Sequence, residues 1–437
     1  MRKSSLDSRN LCTAKVMKKK IFIFGNFGSG NLGNEATLQV TLHHLRRLLP
    51  AAAVTCVCTD PETVEAAYHA AAVPIRPVMI RWTLRNRAAR WILKLLLGVP
   101  CEIYRWLRCL VMLWGADALL IPGTGVVTDA CGLVHWGPYG LFQWAVAAKL
   151  VGCKVLFISV GAGPLYSHLG RVLVRSAMAL ADFRSYRDAS SLQYLETVGF
   201  RRRDDRVYPD LVFSLPEVAE PRLIIKSRAR AVVGLGLMGY AGRYNVEKPK
   251  ESTYINYINS LVGLVGWLFS CEYDVRLLDG DIVDAGLHEH FINSVKDRLS
   301  TYDSARIIDV PAVSVEQLFS QLATTDLVVA TRFHNALMAL LLNKPVISIS
   351  FHHKCVSLMS DIGLSEYCLD INDLRAEELI ERFCRLAKNT DFLKPIIRER
   401  VVAYRKALDE QYETILAELC PEPPGAARSR PRKLRLT

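Results

Sequence analysis

No apolar run in this chain of 437 residues reaches the roughly 18 to 20 residues of a membrane-spanning helix; the candidate CLVMLWGADALLIPG is interrupted by Asp117. The expectation is a chain that does not cross a membrane. A secretory start is also missing, because the run IFIF after Lys20 gives way at once to glycines, so export is not expected. None of the 12 cysteines forms a CxxC pair, and most sit in apolar surroundings such as VTCVC and GCKVLF. That pattern argues against zinc or another metal and against disulfides, and for reduced core thiols in a cytoplasmic protein. Acidic excess is absent as well: 55 Lys and Arg stand against 43 Asp and Glu, a formal charge of +12. Most of that excess lies in the tails, since residues 1–20 carry seven cations and one acid and residues 421–437 carry five and one. The body between them is nearly neutral, which excludes a nucleic-acid groove.

What is present reads as a folded protein of two domains, with 51% hydrophobic and 22% charged residues. Strand-like runs alternate with helical patterns along the chain, which gives an α/β class. One segment departs from the neutral body. Residues 76–110, RPVMIRWTLRNRAARWILKLLLGVPCEIYRWLRCL, hold eight cations, one Glu, and Trp82, Trp91 and Trp106. Such a segment suits peripheral contact with an anionic membrane surface, at the inner face of the cytoplasmic membrane. The plainer alternative is a helix pair packed on the sheet with a solvated basic face.

Residues 1–17 read as a disordered leader ahead of Met17 and three lysines. An N-terminal Rossmann-like domain follows over 18–218, opening with a strand at Ile21–Phe24, a glycine-rich loop, and a helix from about Asn34 to Leu49. The stretch PEVAEPRLIIKSRAR reads as a linker, and a second Rossmann-like domain runs over 228–390. A C-terminal helix at 391–420 is expected to pack back across the first domain, ahead of a disordered basic tail at 421–437. Two Rossmann-like domains facing a cleft make the glycosyltransferase-B type of architecture.

Chemistry-bearing stretches fall at strand ends. In FGNFGSGNLGNEA, Gly30, Asn31, Gly33, Asn34 and Glu35 lie where a strand opens into a helix, so backbone amides can approach an anion. The loop has neither a Walker lysine nor a dinucleotide fingerprint, and a tight turn with no ligand is the alternative. LIPGTGVVTD repeats the design with Gly123, Gly125 and Asp129, and ISVGAGPL does so again. Three such ends in one domain point to a ligand-lined crevice. In DFRSYRDASSLQYLETVGF, Arg187 offers a fork for carboxylate or phosphate, or else an ion pair with a neighbouring acid, and Asp188 or Ser190 caps the next helix. In TRFHNALMALLLNKPVISISFHHK, Arg332 and His334 stand in the first turn of a helix, where free amides and the dipole favour an anion, and Lys354 reaches the same rim. A bound anion would raise the pKa of His334 and make it a proton donor; a capping histidine is the alternative.

These stretches together resemble the polysaccharide pyruvyl transferase family over most of residues 18–375. GNFGSGNLGNEA resembles its G-x-x-G-x-x-N-x-G-D-E opening, with Asn34 at the aspartate; PGTGVVTD, VGAGPL and SYRDAS resemble three further segments, with Thr124 among the glycines. The 331–354 block is similar to its R-x-H…P…Y-x-x-K block, with Phe351 in the aromatic slot. The resemblance implies that Arg187, His334 and Lys354 hold phosphoenolpyruvate, the donor substrate, with no cofactor. It also implies a pyruvate ketal placed on a sugar of a surface glycan or its lipid-linked precursor.

Phosphoenolpyruvate carries a carboxylate and a phosphate on one small enol, so its pocket needs several cations and donors, which Arg187 and Lys354 suit. Its methylene carbon must be protonated, and His334 is the candidate acid. Asp129, Asp188 and Glu35 stay open as the base for the sugar hydroxyl. Two other readings remain: a nucleotide-sugar glycosyltransferase of the same architecture, and a catalytically silent relative that binds a glycan or anion.

Overall fold

The computed structural model describes residues 18–77, 97–130, 132–134, 137–216, 230–239, 251–281, 284, 286–300 and 303–420. The expected leader, the linker over 217–229, the tail, and residues 78–96 of the basic segment lie outside the described residues. In the first half, β1 (Lys20–Phe24), β2 (Ala53–Cys58), β3 (Ala71–Pro74), β4 (Ala118–Pro122), β5 (Lys154–Val160), β6 (Phe183–Tyr186) and β7 (Arg206–Val207) form a parallel sheet of order 3-2-1-4-5-6-7. In the second, β8 (Val232–Gly236), β9 (Asp274–Leu278), β10 (Ile307–Ile308), β11 (Leu327–Ala330), β12 (Val346–Ser350) and β13 (Cys368–Asp370) form another of order 10-9-8-11-12-13. Central strands such as ALLIP and VISIS are buried at every position, as strands covered on both faces must be.

Both sheets reverse direction at one place, between β1 and β4 in the first and between β8 and β11 in the second. There the loops at the carboxyl ends part and leave a crevice, the usual ligand position of such sheets. The glycine-rich loop after β1, PGTG after β4, and the Arg332–His334 turn after β11 all stand at these reversals.

Side chains start the helices that carry the site. Asn31 Oδ1 accepts from the Asn34 amide at 3.1 Å, so helix Leu32–Leu48 begins two residues ahead of its expected start. Asp188, rather than Ser190, caps helix Ala189–Thr197 by accepting from the Ser191 amide at 2.6 Å.

One apolar cluster runs from Ile21 and Leu32 through Leu211 into Val233, Leu337 and Tyr412, so the two sheets share a continuous core. A second cluster, built around Phe22, Trp144 and Phe157, fills the other face of the first sheet. Helix Thr390–Leu419 starts with Leu393 and Ile397 buried in the shared core and ends on the first domain. There Tyr412 stacks on His44 with ring centres 3.9 Å apart. Fully buried Gln411 donates to Ser159 Oγ at 3.0 Å and to Ser185 Oγ at 2.6 Å. Among the described residues no helix is long and apolar enough to cross a membrane.

Candidate active site

The turn after β11 brings His334 out of the second domain and sets its imidazole against Gly33 of the first. A Cβ on Gly33 would lie 1.9 Å from His334 Nδ1, so only glycine admits the ring there. The ring's Nε2 is buried and makes no hydrogen bond. Burial, then the charges of Arg187, Lys354 and Arg332, depress the imidazole pKa to about 3. The histidine is therefore neutral in the empty site.

Arg187, at the end of β6, lies with its guanidinium 4.6 Å from the centre of the Phe333 ring. Its Nη1 donates to Asp210 Oδ2 at 3.2 Å, its Nε lies 3.5 Å from Asp188 Oδ2, and that Nε makes no hydrogen bond. A Cβ on Gly161 would stand 2.7 Å from the same nitrogen, so the bare backbone after β5 makes room for the guanidinium. Burial raises the pKa of Asp188, but Arg187, the Ser190 hydroxyl and the Ser191 amide together outweigh it and hold the carboxyl below its usual range. Burial of Asp210 prevails over Arg187 and pushes its carboxyl up.

Lys354 approaches from the turn after β12, where its amide donates to His352 Nδ1 at 3.3 Å. Among the described residues its Nζ has no ion-pair or hydrogen-bond partner, and a Cβ on Gly125 would lie 3.7 Å from it. Burial and then the Arg187 charge press its pKa down to about 7. Nearby, Thr124 Oγ1 and both amide atoms of Asn335 are buried without partners. Buried polar groups are rarely left unpaired, and so many at one crevice mark the place of a polar ligand.

The other expected site residues have different partners. Arg332 is paired with acids: its Nε and Nη2 donate to Asp284 at 2.9 and 2.7 Å, and its Nη1 lies 3.7 Å from Asp281. Two buried carboxylates hold the guanidinium. Asp129 is likewise engaged, accepting from the Tyr166 amide at 2.7 Å and from the Ser167 amide and hydroxyl at 2.8 and 2.5 Å. That makes Asp129 a brace for the 166–167 turn.

Glu35 accepts from the Gly28 amide at 2.8 Å and from the Tyr68 hydroxyl at 3.2 Å, and burial raises its carboxyl to about 7. Asn34 Nδ2 donates to the Asn26 carbonyl at 3.2 Å. Gly30 takes a positive φ of 76°, and Gly123 is pressed so close to the Ser159 carbonyl that a Cβ would stand 2.9 Å from it. Asp210, Phe333, Asp281 and Asp284 were not singled out from the sequence. The acid opening DLVFS after a strand, and the three acids of DGDIVD, were the signals available.

A family model described as polysaccharide pyruvyl transferase matches residues 31–353. A search of curated proteins finds no match. Among solved structures, the fold is similar to S. aureus MnaA in complex with UDP, at 12% identity and a TM-score of 0.58, covering 93% of this chain and 99% of that one. It is similar to UDP-GlcNAc 2-epimerase from Neisseria meningitidis bound to UDP-GlcNAc, at 12% identity and 0.56, covering 91% and 99%. A glycosyltransferase from Rickettsia africae matches at 11% identity and 0.55, covering 92% and 98%. Likenesses at this identity establish the glycosyltransferase-B architecture of two Rossmann-like domains.

Proposed function

The chain belongs to the polysaccharide pyruvyl transferase family, and from that premise we propose that it transfers pyruvate from phosphoenolpyruvate to a sugar as a ketal, releasing phosphate. A polysaccharide-modifying transferase needs a donor substrate and a glycan acceptor. The observation that carries the choice of donor is the convergence of Arg187, His334 and Lys354, with Lys354 Nζ and His334 Nε2 unpartnered among the described residues and Arg187 Nε making no hydrogen bond beside Asp188. A small ligand bearing two anionic groups answers all three.

Arg187 and Lys354 hold the carboxylate and phosphate. His334, neutral when the site is empty, gains basicity as the anion offsets its cationic neighbours and delivers a proton to the methylene carbon. One acceptor hydroxyl then bonds to the central carbon, the carbon–oxygen bond to phosphate breaks, and a second hydroxyl closes the ketal. Two hydroxyl protons are released, which balances the one added to carbon and the one that leaves with phosphate.

Titration calorimetry with phosphoenolpyruvate, with UDP-glucose as control, tests the donor. Binding of phosphoenolpyruvate alone is expected, weakened strongly by Lys354→Ala and Arg187→Ala. His334→Ala is expected to lower turnover by roughly 10² to 10⁴, the span for losing a general acid. Binding of UDP-glucose in place of phosphoenolpyruvate would favour a nucleotide-sugar glycosyltransferase.

A membrane-facing acceptor is supported by helix Val99–Leu113. Val99, Ile103, Leu107 and Val111, four residues apart, form an exposed apolar stripe that ends at Trp114, 75% exposed. Residues 78–96, which lead into it, contain five cations and no acid. We propose that this face rests on an anionic bilayer.

A further inference from the structure

Arg332 stands two residues before His334, and the acids that hold it belong to a loop that also grips the other domain. From the first domain, Asn31 Nδ2 donates to Asp281 Oδ2 at 2.8 Å, and the Leu32 amide donates to the Gly280 carbonyl at 3.2 Å. Within the second domain, Asp281 lies 3.7 Å from Arg332, while Asp284 takes the guanidinium with two hydrogen bonds and accepts from the Gly239 amide at 3.0 Å. Both acids are buried, with Asp281 4% and Asp284 1% exposed. Space is as tight as the bonding: a Cβ on Gly280 would fall 2.8 Å from Arg332 Cγ. The chain of contacts therefore runs from the start of helix Leu32–Leu48, through the loop after β9, to the start of helix Phe333–Leu341.

We propose that Asp281 is a positioning residue, which holds these two helix starts together through Asn31 and Arg332 so that His334 seats against Gly33. The Asn31–Asp281 and Leu32–Gly280 contacts join the two domains, and neither is a rung of either sheet. Losing them loosens the walls of the crevice at this point, while the shared core keeps the domains together and each keeps its fold. His334, from the second domain, then leaves the Arg187 side of the site, and an anion meets its ligands only in the fraction of molecules that are closed. The reading rests on the proposed donor only where its affinity is measured.

An exchange of partners tests the latch. Asn31→Asp sets two carboxylates against each other yet preserves the helix cap, since Asp caps as well as Asn. Combining it with Asp281→Asn restores a donor and an acceptor with their roles reversed. Hydrogen exchange at amides 31–35 and 333–336 of the full chain, and calorimetric affinity for phosphoenolpyruvate, are the readouts.

The single variant is expected to speed exchange at both segments and to weaken binding by roughly 10- to 100-fold, the scale of a lost charge-assisted hydrogen bond. The paired variant is expected to recover both within a few fold. Unchanged exchange in the single variant, or no recovery in the pair, would overturn the proposal. If the unaltered chain fails to bind phosphoenolpyruvate, the donor assignment falls, and exchange alone decides the latch.

Discussion

At the scale of residues, His334 and Lys354 are kept short of full charge by burial and by their cationic neighbours. Lys354, pressed to about 7, is the cation of the site whose protonation changes near neutrality. Its pKa in the folded chain lies below the unfolded value of 10.5, so the unfolded chain binds more protons between those limits. The empty protein therefore loses stability as pH falls from 10.5 to about 7. A bound dianion reverses the preference by favouring the charged lysine. Phosphoenolpyruvate binding should then take up protons at neutral pH and weaken steadily as pH rises above about 7. Calorimetry in two buffers of different ionisation enthalpy reads the uptake, and Lys354→Met should reduce it to the part that His334 takes up. Affinity that stays level from neutral to alkaline pH would remove Lys354 from the donor site.

Among elements, helix Thr390–Leu419 links the two domains, running from the shared core onto the first. Its Gln411 ties Ser159 to Ser185 at the join of β5 and β6, where Ser159 takes a left-handed φ of 47°. The β5–β6 register shifts between Phe157 and Val160, just before the glycine and arginine of the site. Gln411→Leu keeps the bulk but leaves two buried hydroxyls short of a partner, at about 1–3 kcal/mol. Urea unfolding should show a loss of that size, and an unchanged midpoint would mean that the serines find other partners.

For the whole molecule, the exposed face of helix Val99–Leu113 belongs to the first domain, which also supplies Arg187, Gly33 and Gly125 to the crevice between the domains. Flotation with vesicles tests the proposed membrane contact of that face. The full chain should float with vesicles containing phosphatidylglycerol and stay behind with phosphatidylcholine alone. Ile103→Glu with Leu107→Glu should cut the bound fraction several fold without changing phosphoenolpyruvate affinity. Equal flotation of the variant would show that this helix is an ordinary surface helix.

The alternation of strands and helices, a helix start at Asp188 or Ser190, and the placing of Arg187, His334 and Lys354 near strand ends were legible in the sequence. They follow from local periodicity, capping chemistry and the turn residues between. The partners of Arg332 and Asp129 were not legible, because an arginine or aspartate at a strand end looks the same whether it meets a ligand or a neighbouring loop. Asp284 lies 48 residues from Arg332, and Asp281 lies 250 from Asn31. Only the folded chain brings such distant groups within hydrogen-bonding reach, and that closure decides which cations remain without partners. The sequence by itself thus determined the two-domain α/β pattern and offered the candidate residues for an anion. Tertiary structure decided which of them converge, because a charge is committed by whatever lies within a few ångströms of it.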